Sequence, residues 1–310
     1  MQFFFEVLIG GLLAGVMYSL VALGFVLIYK ASGVFNFAQG AMVFFAALTF
    51  VSLVESGFSF WLAFLMTFAA MVLIAIATER VVLRPLVNQP PITLFMATIG
   101  LTFVLEGLAQ LFWGSQPHGL ELGITDMPFE WLSENTGMFI SQFDLFAALV
   151  AGLLVAGLAL FFQKTRIGRA LRAVADDHQA ALAVGIPLQQ IWVIVWTVAG
   201  FVALVSGLLW GARNGVQFAL TFTALKALPV LILGGFESVA GAIVGGLIIG
   251  ASEKLAEIYI PQFLNGPLSE AWGVSVNLAG LEIWFPYALA LVFLLIRPEG
   301  LFGEKHIDRV

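Results

Sequence analysis

The chain has 310 residues, of which 61% are hydrophobic and 10% are charged, with a formal net charge of −6 and a mean hydropathy of +1.03. A water-soluble domain carries roughly 25% charged residues, so this composition excludes a soluble globular protein and indicates that lipid covers most of the surface. The absence of cysteine excludes disulfides, thiolate metal sites and cysteine nucleophiles.

Apolar segments follow one another along the chain, separated by charged or turn-forming residues. They cover residues 7–29, 41–54, 56–78, 92–114, 145–162, 187–212, 219–233, 239–251 and 283–296. A helix needs about 20 predominantly apolar residues to cross a bilayer. We therefore predict an all-α polytopic transmembrane protein that forms a single domain over residues 1–310 and has about eight or nine spans.

Polar residues and glycines occur at residues 30–40 and 213–235, which predicts short or broken helices at both places. GVFNFAQGAMV at 33–43 also aligns with GGFESVAGAIV at 234–244, which indicates an internal repeat. Paired interruptions in two halves of a membrane protein are typical of a transport site. An alternative is chance similarity among helices rich in Gly and Ala, in which small residues serve close packing.

Polar side chains in and near these interruptions are the candidate path residues: Asn36, Gln39, Gly40 and Glu237. For Asn36 and Gln39 the alternative is a hydrogen bond between helices. Lys226 and Glu237 could line a path or extend towards the interface from helix ends.

Charge is distributed unevenly around the apolar segments. The polar stretch at about residues 115–144 contains acidic side chains and no Lys or Arg. Lys164, Arg166, Arg169 and Arg172 are instead clustered at the start of residues 164–186. By the positive-inside rule, we predict that the acidic loop is periplasmic and that residues 164–186 and the C-terminus are cytoplasmic.

Motifs of enzymatic chemistry are absent from the sequence. The three histidines share no metal-ligand spacing, and neither a phosphate-binding G-x-x-x-x-G-K-[ST] loop nor a G-x-S-x-G nucleophile elbow occurs. We therefore expect a protein that moves or conducts a solute, is not an enzyme, and draws energy from another protein or an ion gradient.

Six motifs distributed along the chain resemble one known family. They are YSLVALG at 18–24, NFAQG at 36–40, RPL at 84–86, RIGRA at 166–170, GAIVGG at 241–246 and RPEGLFG at 297–303. Together they resemble the inner-membrane permease subunits of branched-chain amino acid ABC transporters, the hydrophobic amino acid uptake group. That family usually has NFAHG where this chain has Gln39 in the fourth position. Importers of urea, short amides or aromatic acids are close relatives and remain alternatives.

The resemblance implies a bacterial inner-membrane importer with a second permease subunit, two ATP-binding subunits and a periplasmic substrate-binding protein. It implies no cofactor and no nucleic acid. Residues 164–186 would then form the loop that couples to the ATPase, through Arg166, Gly168, Arg169, Arg172, Asp177, Ala181 and Gly185. Ala181 and Gly185 would share a small-residue face that lets the partner approach.

Other interpretations of the chain remain open. Residues 164–186 could be a solvated loop whose charges only set topology. The whole protein could be an ion-driven carrier or channel acting alone, or a structural membrane subunit without a path.

Overall fold

The computed structural model describes residues 2–86, 89–176, 178–264 and 280–303. Its α-helices are α1 (Gln2–Ser32), α2 (Gln39–Glu55), α3 (Phe60–Ala77), α4 (Pro91–Trp113), α5 (Glu130–Thr136), α6 (Gln142–Lys164), α7 (Arg166–Asp176), α8 (His178–Ala183), α9 (Leu188–Asn214), α10 (Thr223–Lys226), α11 (Leu228–Gly234), α12 (Val239–Phe263) and α13 (Leu281–Ile296). A π-helical turn, Thr78–Leu83, and a 3-10 turn, Arg84–Leu86, extend α3, and a 3-10 segment, Phe218–Phe222, precedes α10. The prediction of an all-α protein is confirmed for these residues.

Six helical segments of the described chain are long and apolar enough to cross a bilayer, which confirms a multi-pass membrane protein. They are Gln2–Ser32, Phe60–Leu86, Pro91–Trp113, Gln142–Lys164, Leu188–Asn214 and Val239–Phe263. Gln39–Glu55, Phe218–Gly234 and Leu281–Ile296 are shorter apolar segments. At 1.5 Å per residue, 17 residues measure about 26 Å, against roughly 30 Å of hydrocarbon. The predicted count of about eight or nine spans therefore depends on whether the shorter segments also cross.

Helix α12 extends well beyond the end that the sequence indicated. The apolar segment at residues 239–251 predicts an end near residue 251, where charged residues follow, but the helix continues to Phe263. The charges are accommodated by pairing: the Glu253 carboxylate lies 3.2 Å from the Lys226 ammonium, and Lys254 lies 2.7 Å from Glu257 on the next turn. A paired charge costs less in an apolar surrounding than an isolated one.

The chain divides into two compact units that are interleaved in sequence. The first unit comprises residues 1–19, 123–152 and 226–310, and the second comprises residues 20–122 and 153–225. Helices α1 and α6 each contribute residues to both units. The single domain expected over residues 1–310 therefore remains a prediction.

Helix α9 is central to the second unit, where it packs against α2 and α3. Trp196 on α9 and Phe50 on α2 are fully buried. Gly207 brings the backbones of α2 and α9 together, because a Cβ atom there would lie 2.6 Å from the Val43 carbonyl oxygen. Small residues at such crossings allow the close contact that holds membrane helices together.

Two segments of the second unit that carry cations are hydrogen-bonded to the beginning of α9. The Trp192 indole donates to the Ala31 carbonyl over 3.0 Å, one residue after Lys30. The Arg84 guanidinium donates to the Gln189 side chain over 2.9 Å. Lys30, Arg84 and the start of α9 therefore lie on one side of this unit.

The end of α9 lies among different partners. His118 forms a backbone bridge with Val216, just beyond α9, and its ring lies 3.0 Å from the Glu55 carboxylate at the end of α2. The start of the acidic stretch is thus at the opposite end of α9 from Lys30 and Arg84. The sides predicted for the acidic loop, residues 164–186 and the C-terminus stay a prediction.

In the first unit, α1 and α12 contact each other through four glycines. Gly11 and Gly15 on α1 face Gly250 and Gly246 on α12. A Cβ at Gly15 would lie 2.5 Å from the Gly246 carbonyl oxygen, and one at Gly250 would lie 2.4 Å from the Gly11 carbonyl oxygen. The two glycines of each helix are four residues apart, so they lie on the same face of that helix.

We expect Gly15→Leu to destabilise the protein by at least about 1–3 kcal/mol, because the new side chain must separate two backbones in contact. Gly10→Leu is the matched control on the same helix, since a Cβ at Gly10 meets nothing within 4 Å. Thermal unfolding of both variants in the same detergent measures the difference. An unfolding temperature for Gly15→Leu equal to that of Gly10→Leu would show that this contact contributes nothing.

Candidate translocation path and coupling surface

The connection between α1 and α2 is a short non-helical segment stabilised by a buried asparagine. Helix α1 ends at Ser32, Gly33 has a φ of +68°, and α2 begins at Gln39. Asn36 is completely buried, and its Oδ1 accepts a hydrogen bond from the Ala38 amide over 3.1 Å. We call residues 33–38 the α1–α2 break. Its irregular backbone is supported by this side chain, as an apolar surrounding requires.

Asn36 and Gln39 form a buried amide pair next to α9. The Asn36 Nδ2 donates to the Gln39 Oε1 over 3.4 Å, and the Gln39 Nε2 donates to the Ala199 carbonyl of α9 over 3.4 Å. Gly24 on α1 leaves room for this side chain, since a Cβ there would lie 2.6 Å from the Gln39 Nε2. Gln39 therefore makes the bond between helices that was the alternative to a path role, and the path role itself stays a prediction.

Gly40 allows the broken segment before α11 to lie directly against α2. A Cβ at Gly40 would lie 2.2 Å from the Thr221 carbonyl oxygen and 3.1 Å from the Ala224 side chain. No residue larger than glycine fits without movement of that backbone. Three of the four candidate path residues, Asn36, Gln39 and Gly40, are therefore neighbours in the second unit.

Aromatic rings surround the α1–α2 break. Phe25 stacks on Phe35 with ring centroids 4.8 Å apart. Phe37 is 39% exposed, and the centre of its ring lies 6.2 Å from the centre of the Phe95 ring. The Phe37 amide donates to the Thr98 hydroxyl of α4 over 3.1 Å. Sequence reasoning missed Thr98, because an isolated threonine in an apolar helix carries no signal of its own.

Glu237 lies in a second break, which belongs to the first unit. Helix α11 ends at Gly234, Gly235 has a φ of +101°, and α12 begins at Val239. The Ser238 hydroxyl caps α12 by accepting from the Gly241 amide over 2.9 Å. Glu237 is exposed in this turn, unlike the buried Asn36 with which it aligns.

The C-terminal motif RPEGLFG packs on this second break. The Leu301 amide donates to the Leu233 carbonyl over 2.8 Å, and the Phe302 amide donates to the Gly234 carbonyl over 3.1 Å. Gly300 is required there, because its φ is +82° and a Cβ would lie 2.8 Å from the Gly235 nitrogen. The motif therefore satisfies the terminal carbonyls of α11.

Lys226 belongs to a partly buried ionic cluster in the first unit. Its ammonium lies 3.2 Å from the Glu253 Oε1, which also accepts from the Tyr18 hydroxyl over 3.1 Å. The ammonium is 5.9 Å from the centre of the Tyr18 ring, within the range of a cation–π contact. The sequence did not reveal this cluster, because Glu253 lies beyond the apolar segment at residues 239–251.

The predicted coupling segment begins with a tight corner between α6 and α7. Gly168 is essential to it, because a Cβ there would lie against the Phe162 carbonyl oxygen at 1.8 Å. The Thr165 hydroxyl accepts from the Gly168 amide over 3.1 Å and so caps α7. The Arg172 guanidinium donates to the Phe162 carbonyl over 2.9 Å. Gly168 and Arg172 thus have structural roles at this corner.

Helix α8 ends as its glycine predicts. The Ile186 amide donates to the Ala181 carbonyl and the Gly185 amide to the Leu182 carbonyl, each over 3.0 Å, with a φ of +83° at Gly185. This is the Schellman arrangement of a helix C-terminus. Gly185 therefore fits its position because residues other than glycine rarely adopt this backbone conformation.

The exposed surface of α8 differs from the one we expected. Ala181 is 3% exposed and is buried within the protein, so it does not share an exposed face with Gly185. Leu182 and Val184, which are 53% and 76% exposed, are presented instead. Arg166 and Arg169 are also exposed, whereas Asp177 lies outside the described residues. We call Arg166, Arg169, Leu182, Val184 and Gly185 the coupling surface.

Comparison with known proteins places the chain in a transporter family. Residues 7–296 match the family model described as "Branched-chain amino acid transport system / permease component". The permease LivH of Salmonella typhimurium is 27% identical, with 99% of this chain and 98% of LivH covered. BraD of Pseudomonas aeruginosa is 28% identical over 99% of this chain and 98% of BraD. A probable LivH of Methanocaldococcus jannaschii is 29% identical over 92% and 88% of the two chains. The chain therefore belongs to the family of permease components of branched-chain amino acid transport systems.

Proposed function

We propose that this permease forms the translocation path of a bacterial inner-membrane ABC importer for branched-chain or related amino acids. The observation that carries the proposal is the α1–α2 break, where two buried amide side chains lie beside aromatic rings in an otherwise apolar region. Irregular backbone in such a region is tolerated where protein or a water-filled cavity satisfies it. Curated relatives over nearly the whole chain are described as high-affinity branched-chain amino acid permeases.

In this proposal Asn36, Gln39 and Gly40 line the path from the second unit. The rings of Phe35 and Phe37 offer an aliphatic side chain an apolar surface, which urea or a short amide would not use. Amide groups provide the few polar contacts that orient a small ligand in an apolar site. These neighbours favour a branched-chain substrate over the amide substrates of related importers.

Glu237, in the second break of the first unit, is proposed separately as a path residue. Both breaks follow a helix end, contain a glycine with positive φ and open a further helix. Gly40 and Gly241 are aligned, and a Cβ atom added at either one would lie within about 2.2 Å of a carbonyl oxygen. These shared features support an internal repeat, with the three shorter apolar segments crossing the membrane to give about nine spans.

An ion-driven carrier acting alone is less well supported. Such a carrier needs a charged group on the ion path. Glu253 is buried within an apolar helix, but Lys226 already neutralises its carboxylate. The family match over residues 7–296 instead favours a subunit that works with separate ATP-binding proteins.

We further propose that the coupling surface contacts one of two ATP-binding subunits, with Asp177 at its edge. Leu182 and Val184 are exposed apolar side chains on a short helix whose end is fixed by Gly185. In this proposal the flanking cations favour a cytoplasmic side for this surface and for the C-terminus, and a periplasmic side for the acidic stretch. A second, different permease subunit and a periplasmic binding protein complete the importer.

Gln39→Met tests the path, because it keeps the length of the side chain and removes the amide. We expect uptake of leucine, isoleucine and valine to fall at least about tenfold, equivalent to about 1.4 kcal/mol. Thr102→Val is the matched control, since it removes one buried hydroxyl from α4. Uptake is measured in membrane vesicles that contain equal amounts of assembled complex. Normal uptake by Gln39→Met would exclude Gln39 from the path.

Val184→Glu tests the coupling surface without disturbing the backbone of α8. A charge at an apolar contact should lower co-purification of the ATP-binding subunits at least about tenfold. Phe139→Glu is the control, because Phe139 is similarly exposed, at 66%, in the acidic loop. Both variants should insert normally. Equal recovery of ATP-binding subunits with both variants would remove the coupling role from α8.

A further inference from the structure

The structure contains a cavity where the end of α3 meets the start of α9, both in the second unit. Its volume is about 510 Å³. Glu79, Arg80 and Arg84 line it from the extended end of α3, and Gln189 lines it from α9. The proposed path uses none of these residues, so the charges concentrated here have no role in the function described above.

One arginine of this cavity is held in place by a buried carboxylate. Glu79 is 1% exposed, and its Oε1 accepts from the Arg84 Nε over 3.2 Å. On the other side, the Arg84 Nη2 donates to the Gln189 Oε1 over 2.9 Å. These two bonds leave part of the planar guanidinium available, and its orientation is fixed before any ligand arrives.

The π-helical turn at Thr78–Leu83 explains how Glu79 and Arg84 meet. Residues five apart on a regular α-helix point about 140° away from each other. The i→i+5 hydrogen bonds of a π-helix bring such residues to the same side, and single π turns are frequent at functional sites. The extra residue in this turn therefore creates the Glu79–Arg84 pair.

The cavity combines a positive charge with an apolar wall. Arg80 is exposed and forms no hydrogen bond or ion pair with the residues that the structure describes. The charge of the Glu79 carboxylate is balanced by that of Arg84, so the cavity keeps one net positive charge, that of Arg80. Ile76 and Val193 supply apolar lining, and Leu73 and Val81 nearby are 66% and 74% exposed on a membrane-spanning segment. A phosphate diester with attached acyl chains matches both features.

We propose that this cavity binds the phosphate group of an anionic phospholipid, with Arg80 and Arg84 as its ligands. Basic pockets between transmembrane helices are suited to anionic headgroups, because each cation near the membrane surface contributes to attraction. The acyl chains lie along Ile76 and the exposed face of α3. The inference rests on the membrane location of the permease and is independent of the transported substrate.

Lipid retention by the assembled transporter tests the proposal. The complex is reconstituted in nanodiscs of phosphatidylglycerol and phosphatidylcholine, re-extracted in mild detergent, and its bound lipids are counted by native mass spectrometry. We expect the wild type to retain phosphatidylglycerol preferentially and Arg80→Gln to retain about fivefold less, as loss of one surface cation predicts. Lys164→Gln, which removes an exposed cation outside the cavity, should retain as much as the wild type.

A second variant separates binding from folding. Glu79→Gln combined with Arg84→Gln removes both charges without leaving a buried carboxylate unpaired, and it should also lose the preference for phosphatidylglycerol. Equal retention of both lipids by the wild type would overturn the proposal. So would displacement of the lipid by millimolar inorganic phosphate, which would indicate a free-anion site. Loss of ATP-binding subunits with unchanged lipid in Arg80→Gln would indicate a protein contact instead. Substrate uptake by the same preparations reports separately on the transport function.

Discussion

A chain that leaves the helical conformation in an apolar surrounding must find new partners for its backbone groups, and the α1–α2 break depends on this requirement. Asn36 bonds the Ala38 amide, and Thr98 of α4 bonds the Phe37 amide. Gln39 links the start of α2 to α9. Side chains from the break itself and from α4 therefore replace hydrogen bonds that a continuous helix would have made, and Gln39 fixes the start of α2 against α9.

Glycine contacts make these arrangements possible in both units. Gly24 gives Gln39 its space, and Gly40 admits the backbone of Thr221. In the first unit, Gly15 lets α1 touch α12. Because lipid competes for apolar side chains, contact between membrane helices relies on close packing more than on hydrophobic burial. These glycines therefore stabilise the helix contacts, and Gly24 and Gly40 also make room for polar groups next to the candidate path.

The sequence was informative wherever the signal was local. Hydrophobic composition predicted an all-α membrane protein, and polar residues with glycines predicted broken helices near residues 30–40 and 213–235. Distant contacts were not visible. The place of Glu253 within α12 was not visible because its partners, Lys226 and Tyr18, are 27 and 235 residues away. The inward orientation of Ala181 and the bond from Arg172 to Phe162 likewise depend on how α8 and α7 pack, which spacing alone does not reveal.

The central claim is that the α1–α2 break lines the transport path, and thiol labelling tests it directly because the natural chain has no cysteine. Phe37→Cys places a single thiol at the partly exposed edge of the break, and Leu111→Cys places one on α4, where the side chain is 75% exposed. A charged, water-soluble reagent reacts with thiols that ionise in water. We predict that Phe37→Cys reacts faster than Leu111→Cys and that transported substrate slows only the former. Equal, substrate-independent labelling at both positions would contradict the claim.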